Sequence, residues 1–196
     1  CLVAKDPNAV MLVAPSDHVM RDAAAFRAAV ARRAEAIAKG RIVTFGIAPD
    51  RPETGYGYLQ LASAPDGSGA AVALTRFVEK PDAARAAQML AEGCYLWNSG
   101  IFLFRSFYFI SALKAHAPNL LPPVEAAVGL AKPDLGFLRL AIEPWCQAAD
   151  ISIDYAVMEK SDRLSVVPYD AGWSDLGDWD TVWRQAGPDA DGVVTS

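Results

Sequence analysis

Three stretches of the 196-residue sequence hold polar groups where a plain fold has no need of them. In Phe77-Val78-Glu79-Lys80-Pro81, a β-rich run over 70–78 ends on two adjacent opposite charges, and Pro81 closes it. In Tyr95-Leu96-Trp97-Asn98-Ser99-Gly100-Ile101-Phe102-Leu103-Phe104, an apolar strand is interrupted by the trio Asn98-Ser99-Gly100. Charges at a strand end and an amide inside a buried strand cost free energy unless something binds them. A sugar, with hydroxyls in every direction, is a natural candidate. The third stretch, Gly172-Trp173-Ser174-Asp175-Leu176-Gly177-Asp178-Trp179, crowds glycines, tryptophans and aspartates into one loop. It reads either as a Trp-anchored helix entry capped by aspartate or as a loop presenting one carboxylate to a bound cation.

The elements that must position these residues follow from periodicity. Val10-Met11-Leu12-Val13-Ala14 is a short apolar run that predicts a strand buried on both faces. It ends at Pro15-Ser16-Asp17-His18. Asp22 caps a predicted helix that carries Phe26, Val30, Ala34 and Ile37 on one face and Arg27, Arg32, Arg33 and Glu35 outside, and Gly40 stops it. Residues 41–48 return as a strand, so the segment predicts a β-α-β unit with a right-handed parallel crossover. Ligands of open α/β sheets gather beyond the carboxyl ends of strands, which is where Asp17 lies. A turn or capping role for Asp17 is equally open, and His18 reads as a packed or hydrogen-bonded histidine rather than a catalytic one.

Glu53-Thr54-Gly55-Tyr56-Gly57-Tyr58 places two glycines around a tyrosine. These glycines either let the backbone approach a ligand or relieve a bend into a strand. No glycine-rich phosphate motif occurs. Residues 58–62 and 70–78 predict a hairpin turning at 65–69. Helices are predicted over 82–93, 107–116, 118–130, 134–142 and 152–160. A strand follows at 163–169, then a last helix through Arg184. Residues 1–187 read as one domain and 188–196 as a loose tail.

Composition narrows the function classes. At 53% hydrophobic residues the chain can bury a sizeable core. A net charge of −5 with no Lys/Arg stripe argues against nucleic acid. Cys1, Cys94 and Cys146 match neither a disulfide framework nor a zinc pattern, and read as reduced thiols of a cytoplasmic protein. Neither a secretory leader nor a membrane span is expected.

Seven collinear stretches carry a resemblance: Pro15-Ser16-Asp17-His18, Thr44-Phe45-Gly46-Ile47, Pro52 to Tyr58, Phe77 to Pro81, Trp97-Asn98-Ser99-Gly100, Ile153 to Lys160 and Gly172 to Gly177. From about Asp6 to Trp183 the chain resembles mannose-1-phosphate guanylyltransferases, nearest the bacterial form often fused to a mannose-6-phosphate isomerase domain. The resemblance implies a Rossmann-like α/β nucleotidyltransferase fold, its mixed, mostly parallel sheet flanked by helices. It implies a reaction in which GTP and α-D-mannose 1-phosphate give GDP-mannose and diphosphate with Mg²⁺. By motif, Asp17 and Asp175 would hold the metal, Glu79 would accept hydrogen bonds from mannose hydroxyls, and Lys80 would serve the sugar phosphate. Asn98 would bind the sugar, Gly57 would let main chain face it, and Thr54 and Gly55 would join the same pocket. Asp154 and Asp178 stand in reserve as carboxylates. The family's motif G-G-x-G-T-R-L-x-P-L and its guanine-binding segment are not in this sequence, so the expectation is a domain lacking its N-terminal portion and inactive alone. Two alternatives stay open: a related transferase using another sugar or base, and a non-catalytic regulatory subunit that binds sugar nucleotides. A homo-oligomer is also left open.

Overall fold

The structure is a computed structural model that describes residues 1–31, 33–62, 70–169 and 172–194. In chain order they form α1 (Leu2–Lys5), β1 (Val10–Val13), β2 (Val19–Met20), α2 (Ala23–Ala31), α3 (Ala34–Ala38), β3 (Ile42–Ile47), β4 (Tyr58–Leu61) and β5 (Val72–Val78). Then come α4 (Ala83–Glu92), β6 (Tyr95–Arg105), α5 (Ser106–His116), α6 (Leu121–Gly129), β7 (Lys132–Asp134), β8 (Phe137–Arg139) and α7 (Ile142–Trp145). A π-helical turn (Asp154–Met158), β9 (Leu164–Pro168), β10 (Trp173–Ser174) and α8 (Trp179–Ala186) complete the order.

The long strand β6 organises the sheet. Its carboxyl end pairs with β1, its middle with β3 and its amino end with β4, each antiparallel, and the strand order is β1-β6-β3-β9-β5-β4. The sheet is mixed and flanked by helices, as expected, but it is not mostly parallel. Among the described residues β3 and β9 are its one parallel pair. The reason is β6, which runs against three neighbours, together with the hairpin β4–β5. Being each antiparallel to β6, β1 and β3 do point the same way, but β6 lies between them.

The pleat divides the core. Ile42, Phe102, Phe104, Leu164 and Val166 face one layer, packed against Val157 and Met158 of the π-helical turn. Val43, Phe45, Ile101, Leu103 and Val167 face the other, against Ala29 of α2 and Ile37 of α3. This is the period-two alternation of a sheet covered on both sides. A third cluster joins Tyr58, Tyr95 and Trp97 to Ala86 and Met89 of α4, which Asp82 caps by accepting from Arg85 N–H.

Several local expectations give way to packing. β1 is an edge strand and largely exposed, not buried on both faces. The helix after Asp22 breaks into α2 and α3, and the Arg33 side chain is buried, its Nε donating to the Ala29 carbonyl at 3.2 Å. Arg32 and the Glu35 side chain lie outside the described residues, as does the turn at 65–69. Residues 134–142 do not form one helix. Leu135 and Gly136 both adopt positive φ (46° and 86°) and turn β7 into β8, the geometry of a two-residue hairpin loop. Among the described residues no helix is long and apolar enough to cross a membrane.

Gly46 sits where β3 shifts register against β6. A Cβ there would lie 2.6 Å from Leu96 Cδ1 and 2.7 Å from Val166 Cγ2, in tightly packed core on both sides. Gly46→Ala is expected to lower stability by about 1–3 kcal/mol in urea unfolding, because neither neighbour has room to withdraw.

Candidate functional site

Six segments meet around a cavity of about 440 Å³: the end of β1, the bend before β4, the end of β5, the middle of β6, the π-helical turn and the ribbon formed by β2 and β10. Its walls include Gly55, Gly57, Glu79, Lys80, Asn98 and Asp175. Six of the eight residues expected from sequence thus line one space. Thr54 and Asp17 are exposed and are not in the walls.

Asn98 is fixed on both sides of its amide. Oδ1 lies 2.9 Å from the Thr44 hydroxyl and accepts from Gly100 N–H at 3.2 Å, while Nδ2 donates to Asp154 Oδ1 at 3.1 Å. Its backbone N–H donates to the Gly57 carbonyl at 2.7 Å. The Gly57 carbonyl is therefore already engaged, and what this glycine supplies is space. A Cβ at Gly57 would stand 2.5 Å from Glu79 Oε2.

Glu79 is the most perturbed carboxyl of the cavity. Its side chain is 9% exposed, and Oε2 is buried with no hydrogen-bond partner among the described residues. Burial first, then the charge of Asp154, push its pKa from 4.5 up to about 7. The Lys80 ammonium, 3.8 Å from Oε1, pulls it down, and Glu159 pushes it up again. Glu159 also accepts the Glu79 N–H at 3.0 Å, which anchors the strand end. Burial raises the Asp154 pKa too, against the hydrogen bond from Asn98 and the charge of Lys80. Lys80 itself holds a positive φ of 45°, unusual for a side-chain-bearing residue, and donates its N–H to the Tyr56 carbonyl at 3.2 Å.

The ribbon pairs Val19 with Ser174 and Met20 with Trp173. Continuing that antiparallel register by one residue sets Asp175 opposite His18, so Asp17 and Asp175 come off the same end of the ribbon. Asp175 Oδ1 accepts from the Tyr56 hydroxyl at 2.6 Å. Burial, then the hydrogen bond and charge of Asp175, lift the Tyr56 pKa well above its ordinary range, so the phenol stays a donor. Trp173 Nε1 donates to His18 Nδ1 at 3.2 Å, so His18 is a packed, hydrogen-bonded residue in the cavity wall. Asp178 caps α8: its Oδ1 accepts from Thr181 N–H at 2.6 Å, which lowers its pKa.

Sequence reading missed three roles. Asp154, held in reserve, is the partner of the Asn98 amide. Glu159 anchors the Glu79 backbone, and Tyr56, noted only for its flanking glycines, orients Asp175. The doubled acid-bearing motif Ile153 to Lys160 was the available signal, but a helical reading hid that its first and last acids reach two different strands. Among the described residues no three His, Cys, Asp or Glu side chains gather closely enough to hold a metal between them. Cys1, Cys94 and Cys146 are free.

A family profile described as Nucleotidyl transferase matches residues 1–191. The chain is 43% identical over 191 residues to a mannose-1-phosphate guanylyltransferase of Escherichia coli K12, covering 96% of this chain and 40% of that protein. It is 46% identical over 187 residues to one from Sinorhizobium fredii, covering 95% and 36%. A solved structure from Thermus thermophilus, titled mannose-1-phosphate geranyltransferase, superposes with a TM-score of 0.79 at 34% identity, over 95% of this chain and 52% of that one. The chain spans between 36% and 41% of the length of the curated relatives it matches.

The Glu79 shift has a testable sign. Its folded pKa lies above the ordinary 4.5, so the folded state keeps a proton that the unfolded chain has released. The stability from this group is complete below about pH 4.5 and is lost as pH rises through about 7. The Glu79 carboxyl carbon is expected to titrate near pH 7 in ¹³C NMR, and Glu79→Gln to remove this group's part of the fall in Tm across that window.

Proposed function

The chain belongs to the nucleotidyl transferase family, and from that footing we propose that it forms the sugar-binding and metal-binding part of a mannose-1-phosphate guanylyltransferase. The reaction is cytoplasmic and joins GTP to α-D-mannose 1-phosphate, giving GDP-mannose and diphosphate. An oxygen of the sugar phosphate attacks the α-phosphorus of GTP. A new P–O bond forms there, the bond to the bridging oxygen of the β-phosphate breaks, and diphosphate leaves with that electron pair.

The observation that carries this reading is the buried cluster Glu79–Asn98–Asp154 in a cavity wall, in a chain so similar to proteins of that name. Two carboxyl groups and an amide side by side accept and donate to neighbouring hydroxyls of a hexose, and a buried oxygen without a partner invites one. Lys80 offers a cation to the sugar phosphate from the cavity wall. Gly55 lines the cavity at the bend before β4, and Thr54 stands outside the lining. Such chemistry rests on positioning and charge, and no nucleophilic side chain is needed.

Asp17 and Asp175 are the residues that would hold Mg²⁺. Both are hard oxygen donors at one end of the β2–β10 ribbon. Among the described residues no third His, Cys, Asp or Glu joins them, so phosphate oxygens and water would complete the shell of such an ion. When bound, Mg²⁺ neutralises the charge that builds on the phosphate oxygens.

The 196-residue chain is expected to bind mannose 1-phosphate in calorimetry, and Asn98→Ala to weaken that binding about tenfold, the scale of one hydrogen-bonded anchor. With GTP and Mg²⁺ added it is expected to release no diphosphate above background, because the glycine-rich triphosphate motif is not in its sequence. No binding of mannose 1-phosphate, or tighter binding of glucose 1-phosphate, would overturn the sugar assignment. Turnover by this chain would show the glycine-rich motif to be dispensable.

A further inference from the structure

We infer that Tyr56 is a positioning residue that sets the direction of the Asp175 carboxylate, and that with Trp173 it ties the two acid-bearing loops into one unit. This rests on the reading of Asp175 as a metal ligand. The hydroxyl of Tyr56 donates to Asp175 Oδ1 at 2.6 Å. On the other side, Gly177 leaves Oδ2 its place, since a Cβ there would come within 2.6 Å of it. Between them Leu176 holds a positive φ of 54°, so the loop turns sharply straight after the acid. The carboxylate is thus held at Oδ1 by the phenol, while the missing side chain at position 177 leaves room for Oδ2.

The ring that carries this hydroxyl is itself immobilised. Tyr56 meets Trp97 edge to face at 5.2 Å and Trp173 at 5.4 Å, and the Arg51 guanidinium lies 6.0 Å from its centroid. Trp173 then reaches the other loop through its hydrogen bond to His18, the residue after Asp17. The path Asp17–His18–Trp173–Tyr56–Asp175 links the two acids through three rings and two hydrogen bonds. A metal ligand aimed before the ion arrives binds more tightly than one that must be ordered, and loss of such an outer partner commonly costs about 10–100-fold in metal affinity.

Tyr56→Phe keeps the ring and removes only the hydroxyl. Mn²⁺ titrations of the whole chain, read from the free-ion signal by electron paramagnetic resonance, are expected to show Kd weakened roughly tenfold in Tyr56→Phe. The loss should exceed any loss of mannose 1-phosphate affinity measured in EDTA by at least about fivefold. Gly177→Ala, which pushes on Oδ2 from the opposite side, should weaken Mn²⁺ as well, and it tests the same point should Tyr56→Phe unfold. Equal Mn²⁺ affinity in wild type and the folded variants would overturn the positioning role, provided Asp175→Asn abolishes binding. If Asp175→Asn leaves Mn²⁺ binding unchanged, the metal assignment of Asp175 fails, and the positioning role falls with it.

Discussion

The structure depends on the need to satisfy the Asn98 amide inside an otherwise apolar strand. β6 pairs with three other strands, so its interior cannot carry an unpaired amide without a cost of about 1–3 kcal/mol. Each bond that meets this need recruits a different element. Thr44 comes from β3, Gly100 from the strand's own polar trio, and Asp154 from the π-helical turn. The backbone bond to Gly57 brings the bend before β4 alongside, and the absence of a Cβ at Gly57 admits Glu79 from the end of β5. One polar residue in β6 thereby draws the cavity walls together. π-helical turns are rare in proteins and frequent at sites of function, and this one directs Asp154, and Glu159 just beyond it, to separate strands.

Concentrating acids in one cavity has a chemical consequence. Glu79 and Asp154 are both shifted upward by burial, and each raises the cost of ionising its neighbourhood. Lys80 offsets part of that cost but is itself 58% exposed, so its charge remains largely solvated. A wall of this kind disfavours an anionic group set between Glu79 and Asp154 and favours neutral hydroxyls, with the Lys80 ammonium beside Glu79 as the nearby cation.

The sequence was legible where a residue's type was itself anomalous. Glu79, Asn98 and Asp175 stood out because charge or amide interrupts an apolar or glycine-rich run, and all three line the cavity. The hairpin β4–β5, the cap at Asp22 and the helix beginning near Asp82 were equally readable, since local chemistry decides them. What periodicity could not give was pairing. β1 has the apolar composition of a buried strand, yet the order of strands leaves it at the edge. The antiparallel course of β6 between β1 and β3 turns a β-α-β pattern into a crossover over an inserted strand. Leu135-Gly136 offered a turn signal, but the apolar residues around it read as helix until both left-handed conformations are seen.

The least legible feature is the aromatic wall, which divides two cavities. Tyr56 and Trp173 border the 440 Å³ cavity on one side and a second cavity of about 310 Å³ on the other. Arg51 stacks over Trp97 at 5.0 Å in that second space, with Asp50 and Glu53 neutralising it. Aromatic rings packed edge to face resist displacement, so they hold the partition between the two cavities in place. Glu79 and Asp154 can shift their protonation with pH while Asp175, held by a phenol that remains protonated, keeps its direction. The surroundings of the Glu79–Asp154 pair and the direction of Asp175 are therefore set by different contacts within one cavity, so a substitution at one need not disturb the other.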